Sequence, residues 1–328
     1  MIAELPSTSP RAFEFRSVPC GGMLQSVTQI TPADGFYVHT YYDICPFSPS
    51  GRYLLASRLP YQDRPPRSGD RADVCVLDLH EQTIQTVYST SCWGHQTGTL
   101  AQWGQTDRCV FTNDVIGRRA VCVRIDLREG TYEALDGPMY HVAPDGGSVI
   151  AFPLEYLDAT QRGYGVAPAD YDNPPTLPPG AAEHEGVWRT DVRTGRKALV
   201  LSLAAAAAAI PEPPPRRDGT FYFWHTKFNR QGTRVMAVLR CLFPDGFGGR
   251  NVNVFTLRPD GTDLVRTAAH PVWGCGGGHP NWHPDGMHLL RNLKMDRGRD
   301  RLCKVPADGS EATVLSERIE GGGHPTIE

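Results

Sequence analysis

The stretch Gly276-Gly-Gly-His279-Pro-Asn-Trp282-His-Pro-Asp-Gly286 contains the two short motifs that decide the fold of this 328-residue chain. Its first half, Gly-Gly-Gly-His-Pro, returns at 321–325. Its second half is an apolar residue followed by a turn, and it returns as Phe-Ser-Pro-Ser-Gly from Phe47 and as Val-Ala-Pro-Asp-Gly from Val142. The chain is therefore built from an internal repeat.

Each copy of the turn motif predicts a β-hairpin, because proline presets the first turn angle and glycine supplies a positive φ. Degenerate copies of the motif begin at Trp103 and Phe228. A second strand–turn–strand pattern follows every copy, and these patterns begin at Val74, Val121, Val187, Val252 and Leu302. Each repeat therefore contains two hairpins.

Two hairpins per repeat make a four-stranded antiparallel sheet. We predict an all-β fold, a β-propeller of four-stranded antiparallel blades, with about five complete blades plus fragments. The alternative is a β-sandwich, whose turns also recur at short intervals. A sandwich gives no reason for the same pair of motifs to recur in the same order, so the pattern favours the propeller.

We expect residues 1–328 to form a single β-propeller domain. Segments 167–186 and 211–218 are rich in Pro and Asp, and we interpret them as loops because the repeat resumes on both sides. Residues 12–30 can supply outer strands for a closing blade. The last residues, 321–328, open a sixth repeat without reaching its turn. We expect a chain that is truncated at its C-terminus, since an open sheet edge would invite aggregation. The alternative is an open or pseudo-complete propeller.

Composition restricts the function classes. The net charge is -3, and 33 Lys+Arg and 36 Asp+Glu residues are mixed along the chain, so no basic surface for nucleic acid is expected. The sequence has neither a long apolar run for a membrane nor a signal-peptide pattern. Nine cysteines without a C-x-x-C pair indicate buried thiols in a reducing compartment. We expect a cytoplasmic monomer that binds neither nucleic acid nor membrane.

One position of the repeat carries histidine in three successive copies. His225, His279 and His324 each stand three places before the apolar residue that precedes the turn. Equivalent positions of neighbouring propeller blades converge around one pseudo-axis. The three imidazoles therefore predict a divalent metal site for Zn or Mn, or a cluster in which one histidine is a base. A single His-Pro before a strand is commonly only a turn, but three copies in register favour a site.

Other polar groups precede the turns of other repeats. The segment Gly94-His95-Gln-Thr-Gly98 precedes Trp103, and the segment Gln161-Arg162-Gly-Tyr164-Gly165 places an arginine and a tyrosine beside glycines, where backbone can approach a ligand closely. A site lined by His, Tyr and Arg with few carboxylates suits an anionic ligand.

These segments resemble a known family. The runs from His39 to Tyr53 and from Trp93 to Trp103, the Arg162-Gly-Tyr-Gly165 segment and the Gly-Gly-His-Pro segments are similar to those of propeller polysaccharide lyases. These are the oligogalacturonate lyases and ulvan lyases, seven-bladed proteins that cleave uronate-containing chains by β-elimination. The resemblance extends from about residue 30 to the end of the chain.

The resemblance implies roles for several residues. β-Elimination at a uronate requires a positive group that neutralises the carboxylate, a base for the C5 proton and an acid for the leaving oxygen O4. The resemblance implies His95 as base and Tyr164 as acid, or the reverse. It implies Arg162 or Arg189 as the group that neutralises the carboxylate.

The oligogalacturonate branch of the family implies a metal as well. There a Mn-like ion would be held by His279 and His324, and His225 would serve as base rather than as ligand. The ulvan branch implies a second active-site histidine in the segment that reads Thr112-Asn113-Asp114 here, where Asn113 stands in its place. That departure argues against ulvan-type chemistry and leaves room for an inactive, binding-only relative.

Two functions from different classes follow. The first is a lyase that acts on acidic oligosaccharides and carries a divalent metal, Mn or Zn. The second is a non-catalytic propeller that binds a sugar or a protein partner, since propellers host many functions. A metal hydrolase is a weaker third hypothesis, because the sequence places no carboxylate ligands beside the histidines.

Overall fold

The computed structural model describes residues 2–6, 8–19, 22, 26–161, 163–164, 166, 175–212, 214, 216–245, 252–267, 278–295, 299–319 and 322–327. The chain divides into two compact units. The first unit comprises Met1–Leu135 and Leu157–Pro174, and the second comprises Asp136–Tyr156 and Pro175–Glu328. Strands dominate both units. In the part of the chain that the structure describes, no helix is long and apolar enough to cross a membrane.

The first unit contains two blades, and each is an antiparallel sheet with its strands in chain order. Four short strands precede them, namely β1 (Ile2–Glu4), β2 (Arg11–Ala12), β3 (Arg16–Val18) and β4 (Val27–Gln29). Blade 1 consists of β5 (Phe36–Val38), β6 (Tyr53–Leu59), β7 (Ala72–Asp78) and β8 (Thr83–Thr90). Blade 2 consists of β9 (Gln102–Trp103), β10 (Cys109–Ile116), β11 (Arg119–Asp126) and β12 (Thr131–Ala134). The short helix α1 (Leu157–Thr160) also belongs to this unit.

The N-terminal strands extend these two blades. Strand β1 pairs with β12, with Ile2 opposite Glu133, and β2 pairs with β8, with Arg11 opposite Ile84. Strands β3 and β4 pair with each other. In the described residues, this pair joins none of the five blades, so the expectation that 12–30 supplies outer strands for a closing blade stays a prediction. The outer strand of each blade has unpaired backbone groups, and the extended N-terminal segment satisfies them locally.

Within its described residues, the second unit contains three blades of four strands each. Blade 3 consists of β13 (His141–Val142), β14 (Ser148–Ala151), β15 (Gly186–Asp191) and β16 (Lys197–Ser202). Blade 4 consists of β17 (Thr220–Phe228), β18 (Val235–Leu242), β19 (Asn253–Leu257) and β20 (Val265–Thr267). Blade 5 consists of β21 (Asn281–Trp282), β22 (His288–Met295), β23 (Arg299–Pro306) and β24 (Thr313–Val314). A 3₁₀ turn spans Leu154–Tyr156, and helix α2 spans Leu203–Ala208.

The turn motif forms the predicted hairpins. Gly51, Gly146 and Gly286 adopt positive φ values of 76°, 67° and 69°. Each of these glycines donates its N–H to a carbonyl three residues earlier, at 2.8 to 3.0 Å. The motif therefore connects the first two strands of blades 1, 3 and 5.

Alternate residues of adjacent blades form the cores of the two units. In the first unit the fully buried members include Leu55, Val74, Val110, Val123 and Ile125. In the second unit blades 4 and 5 share a core that includes Met236, Val238, Val254, Leu289 and Val305. Each such side chain contributes roughly 1.5–3 kcal/mol when it is removed from water. The predicted fold class, an all-β propeller of four-stranded antiparallel blades, is confirmed.

Candidate functional site

A left-handed backbone recurs at the position that the repeat predicts for histidine. His225 and His279 have φ values of 71° and 54°, and Leu100, at the same register of blade 2, has a φ of 53°. Residues other than glycine rarely adopt this conformation, which costs about 1–2 kcal/mol. This position of the repeat thus has the same backbone conformation in blades 2, 4 and 5. It carries an imidazole in blades 4 and 5 and an apolar side chain in blade 2.

His225 lies in a β-bulge of strand β17. Phe223 pairs with Leu239 of β18, whereas Thr226 pairs with Ala237, so two residues of β17 oppose one residue of β18. Bulges of this kind bend a strand and re-aim a side chain, and they are common beside active sites. The bulge explains how a histidine in the middle of an apolar strand leaves the regular alternation.

The three histidines predicted from the repeat all belong to the second unit and form one cluster. The ring centroids of His279 and His324 lie 3.9 Å apart, with an angle of 43° between the planes. Both residues act electrostatically on His225. His225 is fully buried, His279 is partly buried and His324 is exposed. We call these three residues the imidazole cluster; it extends from the interior to the surface.

His225 is held by buried aromatic residues. The hydroxyl oxygen of Tyr140, itself fully buried, lies 2.6 Å from His225 Nδ1, and the Trp224 ring centroid lies 4.4 Å from that of the imidazole. Burial lowers the pKa of His225 well below its ordinary value, and Arg240, His279 and His324 lower it further. The imidazole is therefore neutral near neutral pH, the form that can accept a proton.

Two buried basic side chains, those of Arg240 and Lys227, act electrostatically on this cluster. Within the described residues, the buried charged side chains of the second unit are all basic, namely Lys227, Arg240, Arg291 and Arg301. After burial itself, Arg240 contributes to lowering the pKa of His225 and His279, and Lys227 acts similarly on His279 and His324. The charge of the Arg240 guanidinium beside neutral imidazoles favours an anionic ligand, because opposite charges attract strongly where little water screens them.

The donor set fits a divalent metal in part. Burial lowers the pKa of His279 and partial burial lowers that of His324, so both rings are neutral, as metal ligands must be. His279 also makes a hydrogen bond with the backbone of Gly323 that raises its pKa, which identifies the Gly323 carbonyl as acceptor of a ring N–H. Metal-binding histidines commonly make such a bond with the nitrogen that does not face the metal.

A complete ligand set is not formed by the residues that the structure describes. Among them, no three His, Cys, Asp or Glu side chains meet closely enough to hold a metal ion. The structure brings together two imidazoles, those of His279 and His324, while Nδ1 of His225 is bonded to Tyr140. The three-histidine metal site therefore stays a prediction.

His95 lies in a loop of the first unit, and its ring is hydrogen-bonded to the backbone of another loop. Its Nε2 lies 2.8 Å from the carbonyl oxygen of Arg64. A carbonyl only accepts hydrogen bonds, so Nε2 carries the proton and Nδ1 of the neutral ring is the acceptor. The Arg64 guanidinium donates to Asp70 at 2.8 Å and lies 3.7 Å from the ring centroid of Tyr61, which fixes the loop.

Tyr164 belongs to the same unit as His95. Its ring packs edge-on against Tyr41, with centroids 6.0 Å apart. A Cβ atom built on Gly163 would lie 3.9 Å from Nε2 of Gln96, so the segments that carry Tyr164 and His95 are neighbours. Arg162 lies outside the described residues.

Arg189 occupies the third strand of blade 3 and is partly buried. Across the sheet it faces Ile150 and Ala198. The arginine whose charge acts on His225 and His279 is Arg240, on strand β18. Arg240 is thus better placed than Arg189 to neutralise a carboxylate at the imidazole cluster.

Sequence reasoning missed two basic residues of the site. Arg240 stands in the apolar run Val235–Leu242, and Lys227 follows the aromatic run that contains His225. Lysine and arginine are rarely buried unless they have a partner or a function. A basic residue inside an apolar run that predicts a buried strand was therefore the signal that could have identified Arg240 and Lys227 as candidate site residues.

Comparisons with known proteins support the fold. No protein-family model matches the sequence, and no match was found among curated proteins. Among solved structures, an oligogalacturonate lyase in complex with manganese has 16% identity and a TM-score of 0.62, over 94% of this chain and 73% of that one. An oligogalacturonate lyase from Vibrio parahaemolyticus has 14% identity and a TM-score of 0.58, over 96% of this chain and 73% of that one.

A more distant likeness links the chain to TolB from Acinetobacter baumannii, with 11% identity and a TM-score of 0.47, over 87% of this chain and 55% of that one. At such low identities, the two oligogalacturonate lyases show a shared fold. Activity has to be argued from the site.

Proposed function

We propose that this protein is a lyase that cleaves uronate-containing oligosaccharides by β-elimination at the imidazole cluster of the second unit. The observation that carries the proposal is a neutral, buried His225, bonded to Tyr140 and accompanied by Arg240 and two further imidazoles. The fold shared with two oligogalacturonate lyases favours this function over the others that propellers serve.

The reaction needs a base, an acid and positive charge. The base removes the C5 proton, the C4=C5 double bond forms, and the C4–O4 bond breaks. The leaving O4 would take up a proton from the protonated base or from solvent water. Arg240 would neutralise the carboxylate on C5 and so make the C5 proton more acidic. His225 in its neutral form would accept that proton.

The burial of His225 is compatible with this role. Catalytic groups commonly make their reacting contacts only in the substrate complex. A buried imidazole also stays unprotonated at neutral pH, and the hydrogen bond to Tyr140 fixes the orientation of its ring. Substrate would approach from the exposed His324 end of the cluster.

A divalent metal, Mn or Zn, would be held by His279 and His324. When bound, it would add positive charge beside the substrate carboxylate. The proposed protein groups, Arg240 and His225, retain their roles in either case.

His95 and Tyr164 of the first unit remain a second proposed acid–base pair. The bond between His95 and the Arg64 carbonyl leaves Nδ1 as the proton acceptor, which supports a base at this position. Variants of His95 and His225 distinguish the two assignments, because only the residue that takes the proton should affect the rate constant strongly.

The test is incubation of the purified protein with oligogalacturonate in the presence of Mn²⁺. We expect ultraviolet absorbance from the unsaturated uronate and a product mass without added water. His225→Asn should lower kcat by about 10²–10⁴-fold, the usual contribution of a general base. His184→Asn, which changes an exposed histidine of the same unit, serves as control.

Elimination that survives in His225→Asn but not in His95→Asn would move the base to the first unit. Binding of acidic oligosaccharides without any unsaturated product would instead establish the non-catalytic, sugar-binding alternative.

A further inference from the structure

We infer that Asn292 is a positioning residue that holds the two histidine-bearing Gly-His-Pro segments together and fixes the ring of His279. The inference rests on the proposed function, because it gives Asn292 a role at the same site. Two hydrogen bonds of Asn292, which lies on strand β22, carry it.

Asn292 contacts both segments at once. Its side-chain Nδ2 donates to the carbonyl oxygen of Gly323 at 2.7 Å, and its backbone N–H donates to the carbonyl oxygen of Gly278 at 3.3 Å. Gly278 directly precedes His279 and Gly323 directly precedes His324. One residue therefore sets the distance between the two backbones that carry the neighbouring imidazoles.

The carbonyl that Asn292 holds is also the partner of the His279 ring. The Gly323 carbonyl oxygen accepts both from Asn292 and from a ring N–H of His279. A carbonyl with two lone pairs can accept two such bonds. The bond from Asn292 thus orients the acceptor that determines which His279 nitrogen carries the proton.

The placement of Asn292 suits this role. It is 4% exposed and pairs with Leu302 within the long β22–β23 hairpin, so water does not compete for its amide and its backbone is rigid. A second bond, from Asn281 Nδ2 to the Pro325 carbonyl at 3.3 Å, supports the same pair of segments. Substitution of a polar residue that orients a histidine ligand typically lowers metal affinity or activity 10–100-fold.

The experiment compares the wild type with Asn292→Asp and Asn292→Ser. Aspartate keeps the shape but replaces the donor with a carboxylate that repels the Gly323 carbonyl, and serine is too short to reach it. In ¹⁵N-histidine NMR spectra we expect a single His279 tautomer in the wild type and a mixture in both variants. We also expect about a 10–100-fold weaker affinity for Mn²⁺ in both.

Asn253→Asp is the matched control. Asn253 is a buried asparagine of the same unit, 5% exposed, whose oxygen accepts from Arg266, so a carboxylate is tolerated there. It should leave the His279 tautomer and Mn²⁺ affinity unchanged. Circular dichroism and thermal unfolding confirm that each variant is folded.

A folded Asn292→Asp or Asn292→Ser variant with the wild-type His279 tautomer overturns the inference. The tautomer comparison needs neither substrate nor activity. A wild-type protein without lyase activity would therefore refute the proposed function while the NMR comparison still decides the role of Asn292.

Discussion

His225 combines three features that each oppose folding. Its backbone is left-handed, its side chain is completely buried, and its imidazole must remain neutral. Backbone strain of this kind costs of order 1–3 kcal/mol and is concentrated at functional sites. Packing alone would favour an apolar residue, as Leu100 shows at the same register of blade 2.

Removal of the hydroxyl that holds His225 tests how much the pair contributes. Tyr140→Phe deletes the group that lies 2.6 Å from His225 Nδ1 and leaves that buried nitrogen without its phenol partner. We expect the free energy of unfolding to fall by about 1–3 kcal/mol, the usual cost of a buried polar group that loses its partner. Urea unfolding measures it. Tyr53→Phe, at a partly buried tyrosine of the first unit, should lower the free energy of unfolding by less. Equal losses in the two variants would show that the hydrogen bond between Tyr140 and His225 adds no stability.

The neutral histidines predict a pH dependence of stability. Burial lowers the pKa of His225 well below 6.5 and that of His141 to about 4. Below about pH 6.5 the unfolded chain binds protons that these folded side chains do not, so stability is complete above this pH and is lost as the pH falls. Each histidine contributes a slope of up to about 1.4 kcal/mol per pH unit.

Urea unfolding between about pH 7 and pH 5 measures this slope, in a range above the titration of most carboxylates. We expect a shallower slope in His225→Asn, since asparagine tolerates the left-handed backbone but does not titrate. An identical slope in the variant would show that His225 is not held neutral by the fold.

The repeat predicted part of the candidate site and not the rest. The repeat identifies residues that recur at one position, and it selected His225, His279 and His324. The rings of His279 and His324 lie 3.9 Å apart, and both act electrostatically on His225. Arg240 and Lys227 each occur once, in one blade, so no repetition marks them. Their role depends on neighbours brought together by blade packing, which the sequence alone does not contain.

At the scale of elements, turn chemistry made the hairpins predictable. The Pro-Asp-Gly and Pro-Ser-Gly turns specify their own backbone angles, and the flanking apolar runs specify strands. Strands β1 and β2 were not predicted, because two or three residues show no periodicity. Their pairing is decided by the unsatisfied outer edges of blades 1 and 2.

The contact between blades 3 and 4 predicts a strong effect at one turn glycine. Gly261 has a φ of 92°, and a Cβ atom there would overlap the carbonyl oxygen of Val200 on β16. We expect Gly261→Ala to lower the free energy of unfolding by roughly 2–5 kcal/mol, from backbone strain and overpacking together.

Gly117 provides the matched control for that substitution. It has a φ of 57° in the β10–β11 turn, and nothing lies within 4 Å of a Cβ built there. Gly117→Ala should therefore cost only the backbone term, about 1–2 kcal/mol. Denaturant unfolding of the two variants separates the effect of backbone strain from that of the steric overlap with Val200. Equal losses in the free energy of unfolding would show that blades 3 and 4 do not pack tightly at Val200.

At the scale of the whole chain, the net charge is negative, whereas the buried charged side chains of the second unit that the structure describes are basic. The net charge is -3, which predicts no attraction for anions. The described buried charges are nevertheless divided between the units, with acidic Asp78 and Asp114 in the first and basic side chains in the second. Affinity for an anion should therefore depend on local groups such as Arg240 rather than on overall charge.

This division predicts the ligand preference of the molecule. An acidic oligosaccharide should bind more tightly than its methyl ester, because only the free carboxylate carries a charge that the guanidinium of Arg240 attracts. Arg240→Gln should weaken the binding of the acid by roughly 10–100-fold, the value of a charge-assisted hydrogen bond, and should leave the binding of the ester unaffected.

Arg258→Gln, at a side chain with 65% exposure, should change neither affinity. Isothermal titration calorimetry with both ligands measures these affinities. Equal binding of acid and ester, or an equal loss in Arg258→Gln, would mean that general charge rather than a buried arginine governs binding.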